Sequence, residues 1–423
     1  MKELRYDAVV IGGGAAGMAA AAELDAEGFS CAIIDREDHL GGILMQCIHN
    51  GFGLHEFAQE LTGPEFAERL IEQVAKSKIT VYLNTTVINF TQIIISTNAS
   101  KRFLLYCVSP SGAMKIEARA LLLAMGCRER NRGNVRIGGS RPAGIFTAGL
   151  AQRLVNIEGF IPGREAVIIG SGDIGLIMAR RMSWAGCKVK AVIEIMPYPA
   201  GLTRNIVQCL RDFDIPLYLS SQTTGIFGND RVEGVEVTPM ENGMLVPDKS
   251  FRIDCDTVLL SVGLIPENEL SRAAGVEINS VTNGPFVDSC LMTNMEGVFA
   301  CGNVLHVHDL ADWVCVESRR AGRYAAKWLR GEIPSLQIRT KAGSFVRYVS
   351  PACIAPDREN IIYLRSMGVK NNAVLELCLD NRIIRSKKER CVQPSQMINL
   401  KIGPEDLEGL EISSSSILEF NIN

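Results

Sequence analysis

The hydrophobic pattern changes period several times along the chain, and each change marks an element. Residues 6–11 form a short apolar run with β-branched side chains, which predicts a buried strand. A glycine turn follows, and residues 15–24 read as a helix closed near Gly28. Residues 31–34 are a second strand, ending on Asp35. The stretch 40–51 has glycines at both ends, Gly41, Gly42 and Gly51, and does not read as a plain core helix. Residues 63–76 carry an amphipathic helical pattern, and 79–83 supply a third strand. From 87 to 123, β-type runs at 93–95, 103–106 and 116 onward lead into a buried strand, 120–126. They predict an antiparallel insert followed by a return to the main sheet.

The opening pattern then recurs. Residues 166–169 are a strand, a glycine turn follows, 174–185 read as a helix, and 188–193 as a strand ending on Glu194. Such an internal repeat is stronger than either copy alone. Further on, 254–262 predict a buried strand, 298–303 a short strand meeting a polar turn, 312–330 a helix and 333–335 a linker. Short strands at 345–349, 361–364, 374–379 and 383–384, with a turn at Asp380-Asn381, predict a small β-rich C-terminal domain. Its tail, including 413–416, is expected to be loosely ordered, and residues 387–390 to be a solvated strand or turn.

The repeated turn carries chemistry. Gly12, Gly14 and Gly17 have G-x-G-x-x-G spacing between a strand and a helix. The first permits the tight turn, the second lets backbone approach a pyrophosphate, and the third lets helix pack on strand. The helix start at Ala15 and Ala16 offers unpaired N–H groups and a positive dipole end to phosphate. Asp35, with Arg36 beside it, is placed to accept a ribose hydroxyl pair. Gly170, Gly172 and Gly175 repeat the spacing, with Asp173 and Ile174 opening the helix and Glu194 as the second acid. Glu194 favours NAD over NADP, because a carboxylate binds ribose hydroxyls and repels a 2′-phosphate.

Length and composition narrow the setting. A chain of 423 residues suits two or three domains. A hydrophobic fraction of 47% and a charged fraction of 22% are ordinary for a well-cored globular protein. The formal net charge of −3 gives no basic field for nucleic acid. The apolar run 8–22 falls short of the ~18 residues a span needs and holds three spaced glycines, so a soluble cytoplasmic protein without a membrane span is expected. Thirteen cysteines, an odd number, occur singly with no C-x-x-C, so no metal centre is spelled out and a reducing compartment fits.

Two nucleotide-binding units, the second inserted in the first, resemble the flavoproteins of the pyridine nucleotide–disulfide oxidoreductase superfamily. Residues 124–130 are similar to its A-T-G-x-x-x-R segment, with Met125 in place of threonine. Residues 297–303 are similar to its second FAD motif, with Asn303 where aspartate is usual. The resemblance implies an α/β fold of two Rossmann-like dinucleotide-binding domains in three-layer ββα form, plus the β-rich C-terminal domain. FAD would take 1–135 and 266–336, NAD(P) 136–265, and the C-terminal domain 337–423. It implies FAD contacts from the first turn with Asp35 and Arg36, and from Gly41, Gly42, Gln46, Val87, Ala124, Gly126, Gly302 and Asn303. Gly263 joins the NAD set. The two cradles are expected to face each other across hinges near Arg130 and Pro266.

No redox cysteine pair lies near either flavin-facing position, so disulfide reduction is not expected. Cys47 and His49 are the candidates for flavin-adjacent catalysis; a buried cysteine and a hydrogen-bonding histidine are the plainer alternative. His306 and His308 stand beside Asn303, over the flavin or as a loop contact. The wording of 41–53, 261–268 and 301–309 resembles, more narrowly, the oxidoreductase subunit that accompanies a small cysteine-rich protein and an anaerobic-type glycerol-3-phosphate dehydrogenase subunit. It more distantly resembles subunits of opine oxidase, hydrogen cyanide synthase and dye-linked proline dehydrogenase. The expected reaction is electron transfer between NAD(H) and a partner, flavoprotein or iron–sulfur, through FAD, in an oligomer docked by the C-terminal domain. Two other readings stay open: a free-standing NADH oxidase or quinone reductase, and a nucleotide-holding assembly subunit.

Overall fold

The computed structural model describes residues 2–95, 100–332 and 336–423; the expected linker at 333–335 lies outside them. The chain divides into two compact units, one of residues 1–45, 50–127 and 266–423, the other of 46–49 and 128–265.

The first unit begins with strand β1 (Lys2–Ile11), helix α1 (Ala15–Ala26) and strand β2 (Cys31–Ile34). Helix α2 (Gly63–Ala75) starts on a capping box, in which the Glu65 carboxylate accepts the Thr62 N–H at 2.8 Å. Strands β3 (Thr80–Tyr82), β4 (Thr86–Ile95), β5 (Ser100–Ser109) and β6 (Gly112–Leu123) follow. The sheet runs β3-β2-β1-β6-β5-β4. Strand β6 joins its two halves. It is antiparallel to β5 at Phe103↔Ala118 and parallel to β1 along its length. The expected insert and the return to the main sheet therefore share one strand. Leu121, Leu122 and Leu123 are fully buried at the return.

The second unit has strand β7 (Ile145–Thr147), helix α3 (Ala148–Asn156), strand β8 (Glu165–Ile169), helix α4 (Asp173–Trp184) and strand β9 (Lys188–Ile193). With β10 (Leu217–Tyr218), β11 (Ser221–Phe227), β12 (Gly234–Glu241) and β13 (Thr257–Leu260) it forms two sheets. One is parallel, in order β7-β13-β8-β9-β10; the other pairs β11 antiparallel with β12. Strands buried on both faces read as continuous apolar runs, as β8 does.

The first unit resumes with β14 (Val298–Ala300), parallel to β6, and α5 (Ala311–Leu329), which packs on α1. Its β-rich end holds β15 (Ile338–Ala342), β16 (Val346–Ser350), β17 (Asn360–Ser366), β18 (Lys370–Leu379), β19 (Arg382–Val392), β20 (Ile398–Ile402) and β21 (Ile417–Ile422). These form a β15-β21-β18-β19 sheet and a β16-β17-β20 sheet around Ile354, Ile362, Leu377, Leu418 and Phe420. Asp380 and Asn381 both take positive φ, the conformation a tight β18–β19 hairpin needs. The chain end departs from expectation. Residues 413–416 lead into β21, which is paired on both sides, and Ser416 is buried.

Candidate functional site

The first glycine turn forms the cradle its spacing predicts. Gly12 has φ +112°, and a Cβ there would lie 2.4 Å from the Ala124 carbonyl oxygen. A Cβ on Gly17 would lie 1.8 Å from the Gly12 carbonyl oxygen, so helix and turn touch backbone to backbone. Gly14 caps α1 through backbone alone, with no side-chain cap and no acid in the first turn. The N–H groups at Ala15 and Ala16 are thus left for an anion. Asp35 accepts the Gly13 N–H at 2.5 Å and the Glu37 N–H at 2.8 Å, while its carboxylate stays partly exposed. Arg36 is exposed beside it, 4.0 Å from Glu37.

The double glycine closes over this turn. Gly41 donates to the Gly13 carbonyl at 2.9 Å, and a Cβ on Gly42 would lie 3.2 Å from the Gly14 Cα. Ala124 donates to Ile11 at 2.9 Å, and Gly126, at φ +72°, accepts from Glu267 at 2.9 Å. Val87 lies on β4 opposite Cys107, half-buried at the edge of the core. Gly302 has φ +71°, and a Cβ there would come 2.8 Å from the Ala16 side chain. Asn303 accepts the His308 N–H at 2.9 Å and turns its amide to Cys127 Sγ at 3.6 Å. Of the first-unit candidates, Val87 sits on β4 opposite Cys107, whereas Gly12, Gly14, Gly17, Asp35, Gly41, Gly42, Ala124 and Gly302 gather around the turn and the start of α1. A dinucleotide fits the donor set found there: bare helix N–H groups, glycines where a side chain would intrude, and one acid at a strand end.

Gln46, Cys47 and His49 belong to the second unit. Gln46 is buried and donates to the Gly149 carbonyl at 2.8 Å and to Gln152 at 3.1 Å. Cys47 Sγ lies 3.7 Å from Gln152 Oε1, and burial pushes its thiol up to about 12. At neutral pH it is a protonated thiol, not a nucleophilic thiolate. His49 is half-buried on the following bend.

The second cradle repeats the backbone and changes its occupants. Gly170 has φ +96°, and a Cβ there would lie 2.1 Å from the Ser261 carbonyl oxygen. Gly172 caps α4 through backbone, and a Cβ on Gly175 would lie 2.8 Å from the Gly170 carbonyl oxygen. Glu194 is buried and accepts the Ser171 N–H at 2.9 Å, the Ser171 hydroxyl at 2.6 Å and the Met196 N–H at 2.9 Å. Asp173 stands in the first turn of α4 and accepts from Leu202 N–H at 2.8 Å and Asn205 Nδ2 at 2.6 Å. Ala200 N–H donates to the Ser171 hydroxyl at 2.8 Å. The chain after Glu194 thus folds back onto its own glycine turn. Ile174 is half-buried next to Asp173, and Gly263, at φ +98°, accepts from Arg130 N–H at 2.9 Å.

Sequence reasoning missed three acids' partners. Asp312, buried at the start of α5, accepts N–H groups from Gly53 at 3.1 Å and from His55 and Glu56 at 2.9 Å each, anchoring the loop beyond the double glycine. Glu317, about one and a half turns on, faces His306 and His308, at 2.8 and 3.1 Å from their Nε2 atoms. Asp309 pairs with Arg365 of β17 and accepts the Met397 N–H at 2.5 Å, tying the β-rich end to the segment after Asn303. The one signal in the sequence is acids on the apolar side of an amphipathic helix, at Asp312 and Glu317.

The profile of the pyridine nucleotide-disulphide oxidoreductase family matches residues 6–323. The chain belongs to this family. Members of this family are FAD-dependent NAD(P)H oxidoreductases. It is 27% identical to an opine oxidase subunit of Agrobacterium tumefaciens (strain Ach5) over 70% of this chain and 61% of that one. It is 25% identical to hydrogen cyanide synthase subunit HcnB of Pseudomonas protegens over 79% and 70%. The chain spans 61% and 58% of the two opine oxidase subunits it matches. Its fold is that of T. acidophilum thioredoxin reductase, with a TM-score of 0.62 at 23% identity over 76% of this chain and 98% of that one. L-proline dehydrogenase from P. horikoshii shares it less closely, with a TM-score of 0.54 at 18% identity over 78% and 57%. Among the described residues no helix is long and apolar enough to cross a membrane.

Proposed function

We propose that this chain is the electron-transferring flavoprotein component of a heteromeric dehydrogenase, moving a hydride and its electrons between NAD(H) and a partner subunit or other acceptor. The observation that carries it is the pair of glycine cradles in one chain, with no C-x-x-C motif beside either. Bound FAD supplies a ring that accepts a hydride and releases electrons. The protein holds its pyrophosphate at Ala15 and Ala16 and its ribose at Asp35, and excludes side chains from that path at Gly12, Gly14 and Gly42. Glu194 holds the ribose of the nicotinamide dinucleotide and repels a 2′-phosphate, which favours NAD. Burial pushes the Cys47 thiol up, which disfavours a thiolate there.

The subunit role is supported by the names of the relatives, which include opine oxidase subunits, the HcnB subunit of hydrogen cyanide synthase and a ferredoxin reductase component. The wording of 41–53, 261–268 and 301–309 supports a glycerol-3-phosphate dehydrogenase system as the partner. The β-rich end, with Met367 and Ile383 exposed, supports a docking surface there. The test compares the purified chain alone with the chain plus the small cysteine-rich protein and the glycerol-3-phosphate dehydrogenase subunit. NAD-linked oxidation of glycerol 3-phosphate only in the reconstituted mixture is expected. Fast NADH turnover with oxygen or quinone by the chain alone favours a free-standing oxidase or reductase. Flavin that NADH cannot reduce favours an assembly subunit.

A further inference from the structure

The turn carrying Gly302 and Asn303 rests on a buried cluster that the proposed electron transfer leaves unused. Glu317 accepts Nε2–H of His306 at 2.8 Å on one carboxylate oxygen. Its other oxygen accepts Nε2–H of His308 at 3.1 Å and the Gly302 N–H at 2.7 Å. All three side chains are at most 1% exposed. Burial pushes the Glu317 carboxyl up, but the two imidazoles outweigh it and hold the group well below the usual carboxylate range. An ionised carboxylate only accepts, so both imidazoles turn Nε2–H toward it and Nδ1 away. Neither Nδ1 has a hydrogen-bond partner among the described residues.

Two histidines and a carboxylate are also a metal-ligand set. Imidazoles that bind metal through Nε2 normally donate Nδ1–H to a carboxylate, carbonyl or water. Here both Nδ1 atoms lack that support, and both Nε2 atoms are spent on the carboxylate itself. The geometry is protonic instead. The charged neighbours do not neutralise the carboxylate directly: Arg365 pairs with Asp309 and donates to the Val307 carbonyl at 2.8 Å, and Arg320 reaches the Ile361 carbonyl at 3.4 Å. Tyr348 and Tyr363 wall the His306 ring at 6.0 and 5.1 Å. The cluster is one buried negative charge with two basic nitrogens facing no donor. Burial lowers the proton affinity of His306, while Glu317 beside it pulls the other way.

We propose that the His306–Glu317–His308 cluster takes up one proton, on an imidazole Nδ1, when a flavin held at Gly302 and Asn303 gains its electron pair, and releases it on reoxidation. Negative charge added to a poorly solvated region raises the proton affinity of nearby imidazoles, whose ordinary range is near neutrality. The proton comes from water and the electron pair from NADH or dithionite. The electrons stay on the flavin, and in the cluster only an N–H bond forms. This rests on the FAD reading of that turn.

The test is nitrogen-15 histidine NMR of the flavin-loaded protein, oxidised and then reduced by dithionite under argon. The chain has five histidines, so single His306→Gln and His308→Gln variants assign the two buried signals. One of them is expected to pass from neutral to imidazolium on reduction. Both staying neutral, or one being cationic in both states, overturns the proposal. A stoichiometric transition metal in the protein as purified overturns it as well. The double variant keeps an amide N–H toward Glu317 while removing the basic nitrogens. Its flavin midpoint potential is expected to change with pH by one proton fewer per electron pair. The same slope as wild type in a yellow double variant contradicts the proposal; if that variant loses flavin, the wild-type NMR decides alone. Colourless wild-type protein defeats the FAD reading instead.

Discussion

The two glycine cradles have the same spacing and backbone but different furniture. In the first, α1 begins without an acid, and Asp35 accepts hydrogen bonds from the turn while staying partly exposed. In the second, Asp173 puts a carboxylate in the first turn of α4, Glu194 is buried under three donors, and Ala200 and Leu202 fold onto the turn. The first has the form of a seat for a resident dinucleotide. On the proposed function, the second is the seat of the dinucleotide that comes and goes. The difference lies in the segment after each second strand. After Asp35 the chain leaves, and after Glu194 it returns.

The third glycine of each turn offers the sharpest contrast. Gly17→Ala puts a Cβ 1.8 Å from a carbonyl oxygen, a backbone contact that cannot yield. It is expected to cost more than about 4 kcal/mol and to give colourless or insoluble protein. Gly175→Ala also meets a backbone carbonyl oxygen, but at 2.8 Å, so it should cost less stability, leave the protein yellow and raise the KM for NADH. Equal effects at both positions would erase the distinction.

The acids should separate next. Glu194→Ala strands the Ser171 and Met196 donors in a buried place, which should cost roughly 3 kcal/mol in denaturant unfolding. Asp35→Ala should leave stability within about 1 kcal/mol but weaken FAD affinity by roughly tenfold or more, read by flavin release on dilution. A reversal of these two profiles would mean that Asp35, not Glu194, is the structural acid.

Acid should weaken the first unit through its buried cluster. The proton affinity of His306 is lowered by burial from its ordinary value of 6.5, so the unfolded chain binds that proton more readily and stability falls as pH drops through 6.5. Glu317, depressed from 4.5, adds stability above that pH and loses it further down. Thermal stability should fall through both steps in wild type, and Glu317→Gln should flatten only the step below 4.5, because it leaves His306 buried without its carboxylate. The smallest effect is expected at Asp173→Asn, which keeps an oxygen for Leu202 and Asn205 while removing the charge. NADH should bind about two- to fivefold tighter at low salt, the size of one charge at a helix end.

Local patterns carried most of the fold. Both strand–turn–helix–strand units, the helix now at Ala311–Leu329 and the hairpin at Asp380-Asn381 each follow from neighbours within one element. The parts that stayed hidden depend on distant partners. Asp312 meets loop donors more than 250 positions earlier, at Gly53, His55 and Glu56. Strand β21 pairs in parallel with β15 across most of the β-rich end, so nothing around residues 413–416 signals a covered chain end. The return of Ala200 onto Ser171 is a side chain–backbone contact with no period, and the glycine spacing is blind to it.

The most direct measurement is an anaerobic titration of the purified protein with NADH, followed at the flavin absorbance. Yellow protein is expected, its colour bleached by one NADH per flavin, with NADPH far less effective. A colourless protein that takes up no FAD, or a flavin that stays oxidised under excess NADH, would contradict the two-cradle reading.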